Sequence, residues 1–192
     1  MSSNVTLKQV ARILARSVLV FLGLSLVAAL LFVTFYEMHD FRPYLSQIND
    51  IYRAMDPGDR QSPAQVRDFV WKVNGPETDS FVSRKLLGEV RHPRSMMAWH
   101  YHSIMWGLML RLHFDRNERL AFYCHYLPYE GGVGFSKASL FYFARPLDTL
   151  SVDEVATIVT VGRAPQINSP TRHPEQFQAS KRYLLDSYGS QK

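Results

Sequence analysis

Between Ser17 and Tyr36 the chain carries no charged residue: SVLVFLGLSLVAALLFVTFY. At about 1.5 Å of rise per residue, a helix of this length crosses the roughly 30 Å hydrocarbon layer of a bilayer. Lys8, Arg12 and Arg16 precede the run with no acid among them, and Glu37 and Asp40 follow it. The positive-inside rule then predicts a cytoplasmic N-terminus and export of everything after the run. A cleaved leader is the alternative for such a segment. The length of the run, and the lack of a small-x-small site closing it, favour an uncleaved anchor. Phe35 and Tyr36 suit the outer interface. The expected division is a cytoplasmic tail at 1–16, a transmembrane helix at 17–36 and an exported domain at 37–192.

For the exported part, a hydrophobic share of 46% and an aromatic share of 13% supply a packed core rather than a disordered chain. The single cysteine, Cys124, excludes an intrachain disulfide and a Cys-rich zinc site. Three of the five net positive charges sit in the first 16 residues, so no concentrated basic face points to nucleic acid.

The remainder reads as helices broken by turn chemistry. Phe41, Tyr44, Leu45, Ile48, Ile51, Tyr52 and Met55 make one apolar stripe that DPGD (56–59) ends. That helix either packs on the domain or lies in the headgroup layer. In SPAQVRDFVWKVNG, Ser62 reads as a cap, Pro63 as the first helical residue and Gly75 as the stop. Residues 78–90 are helical by pattern. Residues 95–113, SMMAWHYHSIMWGLMLRLH, are apolar nearly all round, which predicts a central buried helix. His100, His102, Ser103 and Arg111 make that stretch too polar for a second span. Helices over 116–126 and 135–144 flank the turn YEGGVG. Ser151 and Glu154 form a capping-box pattern that opens a helix expected to end at Gly162 in the left-handed conformation. After a Pro-punctuated loop, a last helix covers 174–188. Strand signal is almost lacking, so the fold class is all-α.

The last third resembles glycosyltransferase family 51, the peptidoglycan glycosyltransferases. HFDRNERLAFYCHYLPYEG is similar to the family's Arg-Phe-Ser-Lys-x-Glu-Ile-Leu-Glu-x-Tyr-Leu-Asn-x-x-Tyr-Phe-Gly segment, with Phe114, Arg116, Glu118, Leu120 and Tyr123 in register. GFSKASLFYFARPLDTLSVDEVA resembles its Gly-Ile-x-x-Ala-Ala-x-x-Tyr-Phe-Gly-Lys and Leu-Ser-x-x-Glu-Ala-Ala strings, through Gly134, Ala138, Tyr142, Phe143, Leu150, Ser151, Glu154 and Ala156. RAPQINSPTRHPEQFQASKRYLL resembles the Ala-Pro segment and the helix after it, through Ala164, Pro165, Pro170, Pro174, Glu175 and Arg182. The resemblance implies a lysozyme-like, all-α domain on one N-terminal transmembrane helix in the bacterial cytoplasmic (inner) membrane, facing the periplasm. It implies transfer of a lipid-linked disaccharide onto a glycan strand.

Upstream the resemblance thins. Such a transfer needs a carboxylate base and cations or a metal beside the diphosphate. By ungapped register, the family's second Glu falls on Ser103, its Arg-Lys pair on Trp99 and His100, and the Glu of Ile-Leu-Glu on Ala121. SFVSRKLL stands in place of Ser-Thr-Ile-Thr-Gln-Gln-Leu, with Arg84 and Lys85 replacing the two glutamines. The catalytic motif should lie near 48–58, where only Asp50 keeps an acid; Glu77 and Phe81 repeat its Glu-x-x-x-Phe spacing later in the chain.

The catalytic candidates are therefore Asp50 and Glu77, and the substrate-binding candidates Arg84, Lys85, His102, Ser103 and Arg111. His100 and His102 project about 200° apart on a helix, so no metal site is expected from them. No resident cofactor is expected, beyond the divalent metal that the family analogy admits. Expected partners are the bilayer, a lipid-linked precursor or glycan strand, and other cell-wall synthesis proteins. The leading expectation is a transglycosylase-like domain whose catalysis is lost or strongly altered. The alternatives are an active polymerase with relocated acids and a purely structural subunit of an envelope complex.

Overall fold

The computed structural model describes residues 3–190, with side chains from residue 9 onward, so Lys8 of the basic tail lies outside the described side chains. The chain divides into two compact units, Met1–Pro43 and Tyr44–Lys192. In the first, helix α1 (Ser3–Tyr36) runs unbroken through the basic tail and the apolar run. It is long and apolar enough to cross a membrane.

The second unit is helical apart from one short hairpin, as the sequence predicts. It comprises α2 (Leu45–Ala54), α3 (Pro57–Arg60), α4 (Ala64–Asn74), α5 (Glu77–Val90), α6 (Met96–His113), α7 (Arg116–Tyr126), α8 (Phe135–Phe143), α9 (Val152–Arg163) and α10 (Pro174–Gly189). Strands β1 (Pro128–Tyr129) and β2 (Gly132–Val133) pair antiparallel across the Gly-rich turn. The core sits on α7 and α9. Leu120, Ala121, Phe122 and Cys124 of α7 are buried, as are Val155, Ala156, Ile158, Val159 and Val161 of α9. Helices α2 to α6 and α8 pack around α7, while α4, α8 and α10 pack around α9.

Local chemistry sets most element ends. The box at Ser151 forms: Glu154 N–H donates to Ser151 Oγ (3.3 Å) and Ser151 N–H to Glu154 Oε2 (2.8 Å). A second box opens α7, where Asp115 and Glu118 exchange bonds of 2.8 and 2.9 Å. Gly75 closes α4 at φ +50, a conformation glycine adopts without steric cost.

Three sequence expectations are corrected. The first concerns α6, which is not the central buried helix. It buries Trp106, Met109 and Leu110 on one side and exposes a row of large apolar residues on the other. Composition cannot distinguish a helix covered all round from one with an apolar face left open. Secondly, Ser62 does not cap α4; the N-cap is Pro63. Thirdly, Gly162 is not a left-handed stop. It lies inside α9, which runs on to Arg163. A Cβ there would come within 2.3 Å of Leu127 Cδ1, so close approach of the two segments requires the glycine. The left-handed stop falls elsewhere, at Ala144 (φ 52) after α8. The resemblance has glycine at that position.

Two substitutions separate these cases in urea unfolding of the detergent-solubilised chain. Gly162→Ala is expected to destabilise the fold by about 1–3 kcal/mol through overpacking, with part of the loss recovered in Gly162→Ala/Leu127→Ala. Ala144→Gly is expected to stabilise it by about 1 kcal/mol, because the left-handed strain is relieved.

Candidate functional site

Helix α5 carries the polar groups from which a site can be built. Its inner face buries Val82, Ser83, Leu86 and Leu87, which turns Glu77, Arg84 and Lys85 to the outside. Glu77 and Asp79 occupy its first turn, where the helix dipole favours acids. A small cleft of about 180 Å³ opens on this side, lined by Asn74, Glu77, Phe81, Arg84, Tyr123, Gly162 and Arg163. Its floor is a polar chain. Arg163 donates to Asn74 Oδ1 through Nε (3.1 Å) and Nη2 (2.6 Å), and Asn74 Nδ2 donates to Tyr123 Oη (2.9 Å). Phe81 packs its ring against Tyr123 at 5.1 Å, and Lys85 Nζ lies 5.6 Å from the Phe81 ring centre. Burial pushes the Tyr123 phenol far above its ordinary range; Asn74 and Arg163 pull against the rise, and the Glu77 charge adds to it. Tyr123 is therefore a neutral hydroxyl at any physiological pH. Two guanidinium groups, one phenol and one carboxylate suit an anionic group bearing hydroxyls.

A second, open cleft of about 430 Å³ lies at the other end of α5, lined by Gln47, Asp50, Ile51, Ala54, Glu89 and Val90. Asp50 pairs with Arg53 at 3.3 Å, both well exposed, so the pair contributes little. Glu89 accepts from the Tyr126 hydroxyl. Glu77 and Glu89 stand 12 residues apart on one helix, roughly 18 Å along its axis. The structure thus joins Glu77 with Arg84 and separates both from Asp50. Glu89 escaped the sequence reading because nothing local marks it; its place beside Asp50 is set by α2 packing on α5.

The remaining candidates lie on α6. The ring of His102 packs edge-on to Tyr101 at 5.0 Å. Ser103 Oγ donates to the Trp99 carbonyl of its own helix (2.7 Å). Arg111 Nε donates to Asp79 Oδ2 at 2.7 Å. Ala121, the position of another family acid, is fully buried in the core.

A divalent cation needs several converging oxygen ligands. Among the described residues no group of three His, Cys, Asp or Glu is placed to hold one. Glu77 shares its cleft with Arg84 and Arg163, whose charges repel a cation. The residues there do not fit a metal.

One strongly shifted carboxylate was also missed from sequence. Asp59 of α3 is buried and accepts the Ser136 N–H at the start of α8 (2.7 Å). Desolvation raises its pKa to about 6 against the bonds from Ser136. This carboxylate caps a helix and does not line either cleft beside α5.

The transglycosylase family model matches residues 82–188. The chain belongs to the transglycosylase family. The match bears out the all-helical, lysozyme-like reading. It contains Arg84, Tyr123 and Arg163 and leaves Asp50, Asn74 and Glu77 outside. The chain is 29% identical over 83 residues to penicillin-binding protein 4 of Bacillus subtilis, covering 43% of this chain and 13% of that protein. It is 33% identical over 84 residues to penicillin-binding protein 1B of Haemophilus influenzae, covering 41% of this chain and 11% of that protein. The similarity therefore reaches only a small part of either relative.

Because Asp59 keeps its proton in the fold up to about pH 6 and loses it near pH 4 when unfolded, stability should fall as pH rises through that window. Asp59→Asn, which still accepts the Ser136 N–H, is expected to remove that part of the fall. It should gain on the order of 1–3 kcal/mol over the parent at pH 7 and little at pH 4, read from urea unfolding at both.

Proposed function

We propose that this chain is a membrane-anchored, transglycosylase-like domain that binds lipid-linked peptidoglycan precursor without efficient glycosyl transfer. In this reading α1 is an uncleaved single-pass anchor in the bacterial cytoplasmic membrane, its basic end inside and the second unit outside. One observation carries the loss of catalysis. The two acids that sequence offers, Asp50 and Glu77, line different clefts at opposite ends of α5. The arginine cleft therefore holds a single carboxylate, Glu77, without a second acid beside it, and a transfer that loses its base forfeits about 10²- to 10⁴-fold in rate.

The cleft between α5 and α9 supports binding. Arg84 presents a fork-shaped donor for phosphate oxygens, Arg163 adds a positive charge held in place by Asn74, and the cleft's size suits a single anionic head group rather than an extended glycan. Glycan strands and other cell-wall synthesis proteins are further partners of such a domain. The same reading makes it a regulator or scaffold rather than a polymerase. A second reading, an active polymerase with relocated acids, is favoured by one feature: Asp50 and Glu89 share the open cleft.

The two readings separate in a polymerisation assay with lipid-linked disaccharide-pentapeptide and the full chain in detergent. Binding without chain growth is expected, with Arg84→Ala and Arg163→Ala each weakening binding roughly tenfold. Chain growth that Asp50→Asn, Glu77→Gln or Glu89→Gln abolishes overturns the proposal. Neither binding nor growth leaves a structural envelope subunit.

A further inference from the structure

A third cleft, of about 340 Å³, lies between α9 and α10. Arg163 lines it and also lines the cleft beside α5. Among the described residues that line it, none is acidic and only Arg163 is charged. Ala179, Leu184 and the ring of Tyr183, which is 66% exposed, make its apolar part. A cavity of roughly 300 Å³ or more, largely apolar with a few placed polar groups, is the usual form of a small-ligand site.

The polar groups here are held in place and only partly spent. Arg163 gives Nε and Nη2 to Asn74 Oδ1, and Nη2 also to the Val73 carbonyl at 3.2 Å. Its Nη1 has no bond among the described residues. Asn168 is only 7% exposed. One of its amide hydrogens goes to the Thr160 carbonyl (2.9 Å), and its Oδ1 accepts from Ser180 Oγ (3.1 Å). The second amide hydrogen is left for a ligand. Ser180 has already donated its hydrogen and can only accept. Gln176 is exposed and lines the same cleft.

Two unspent donors, one of them cationic, call for an anion, and an acceptor beside them calls for an N–H. The end of a peptide offers both, a carboxylate with the last peptide N–H a few atoms away. A phosphodiester lacks the N–H, and an N-acylated sugar has the N–H without the charge. We infer that this cleft takes the terminal carboxylate of the precursor's peptide. Arg163 Nη1 and the Asn168 amide donate to its oxygens, and Ser180 Oγ accepts from the last N–H. This rests on the precursor-binding reading above, with Arg84 on the phosphate. Arg163, common to both clefts, then stands between two anionic ends of one ligand. The domain thereby distinguishes a precursor whose peptide ends in a free carboxylate from one whose end is blocked.

The test titrates the full chain in detergent by calorimetry. One ligand is the lipid-linked disaccharide-pentapeptide; the other is the same precursor with a carboxamide in place of the terminal carboxylate. The acid form is expected to bind roughly tenfold tighter, the worth of about one charge-assisted bond. Gln176→Glu, which brings an acid into the cleft, should weaken the acid form severalfold and leave the amide form within about twofold. Gln176→Lys should strengthen the acid form alone. Arg84→Ala should weaken both forms by the same factor. Equal binding of the two forms by the parent chain, still weakened by Arg84→Ala, overturns this inference and leaves the precursor reading standing. Gln176 variants that shift both forms alike also overturn it, since their charge then acts on another part of the ligand. No binding of either form overturns the precursor reading, and this inference with it. Gln176 is exposed, so folding should survive, and circular dichroism of each variant checks this.

Discussion

A buried carboxylate with two arginines on it ties the second unit together. Asp79, in the first turn of α5, accepts from Arg111 Nε of α6 at 2.7 Å and from Arg119 Nε of α7 at 2.8 Å. The side chain of Asp79 is 3% exposed and that of Arg119 12%, while that of Arg111 is 51% exposed. The inner pair, Asp79 with Arg119, therefore matters most. Arg119 also donates to the Phe114 carbonyl (2.6 Å), which pins the turn between α6 and α7. Taking one partner from such a buried pair leaves a charge without compensation, a loss of about 3–5 kcal/mol in comparable cases. Three helices thus share one electrostatic junction, and α5 is held in place for its outer face to be used.

That arrangement bears on function. Helix α5 is committed on its inner face to α6 and α7, so only its outer face and its two ends can meet a ligand. Each end has a cleft, one with two arginines and the single carboxylate of Glu77, the other with two carboxylates and no cation. A transfer reaction needs both characters within a few ångströms: cations for a leaving diphosphate and a base for the attacking hydroxyl. Here only Glu77 stands with the arginines, and Asp50 and Glu89 lie a helix length away.

Much of the fold is legible in the residues because its signals are local. The boxes at Ser151 and Asp115, the stop at Gly75 and the turn at Gly131–Gly132 each depend on side chains within a few positions. What escaped depends on distant partners. Asp79 looks like an ordinary acid in a first turn, and its arginines lie 32 and 40 residues away. Gly162 looks like a helix stop until Leu127 is seen against it. Asp59 looks like part of a polar turn until α8 begins on top of it, 77 residues later. Of the candidate site, Glu77 and Arg84 share a cleft, and their partners Asn74, Tyr123 and Arg163 come from three other helices.

Helix α6 shows the same limit from the apolar side. Its composition is that of a core helix, yet the most buried helices are α7, with Arg116, Glu118 and Arg119 in its first turns, and α9, with Asp153 and Glu154. Charges at the end of a helix do not prevent burial of its middle. Apolar residues all round a helix do not ensure burial either, because a small domain has only so much surface to offer each element. One side of α6 meets α5, and on the other Met97, Ile104 and Leu112 remain exposed. Met97, Ile104 and Leu112 at such exposure carry a free-energy cost in water of about 25 cal/mol per Å² left uncovered.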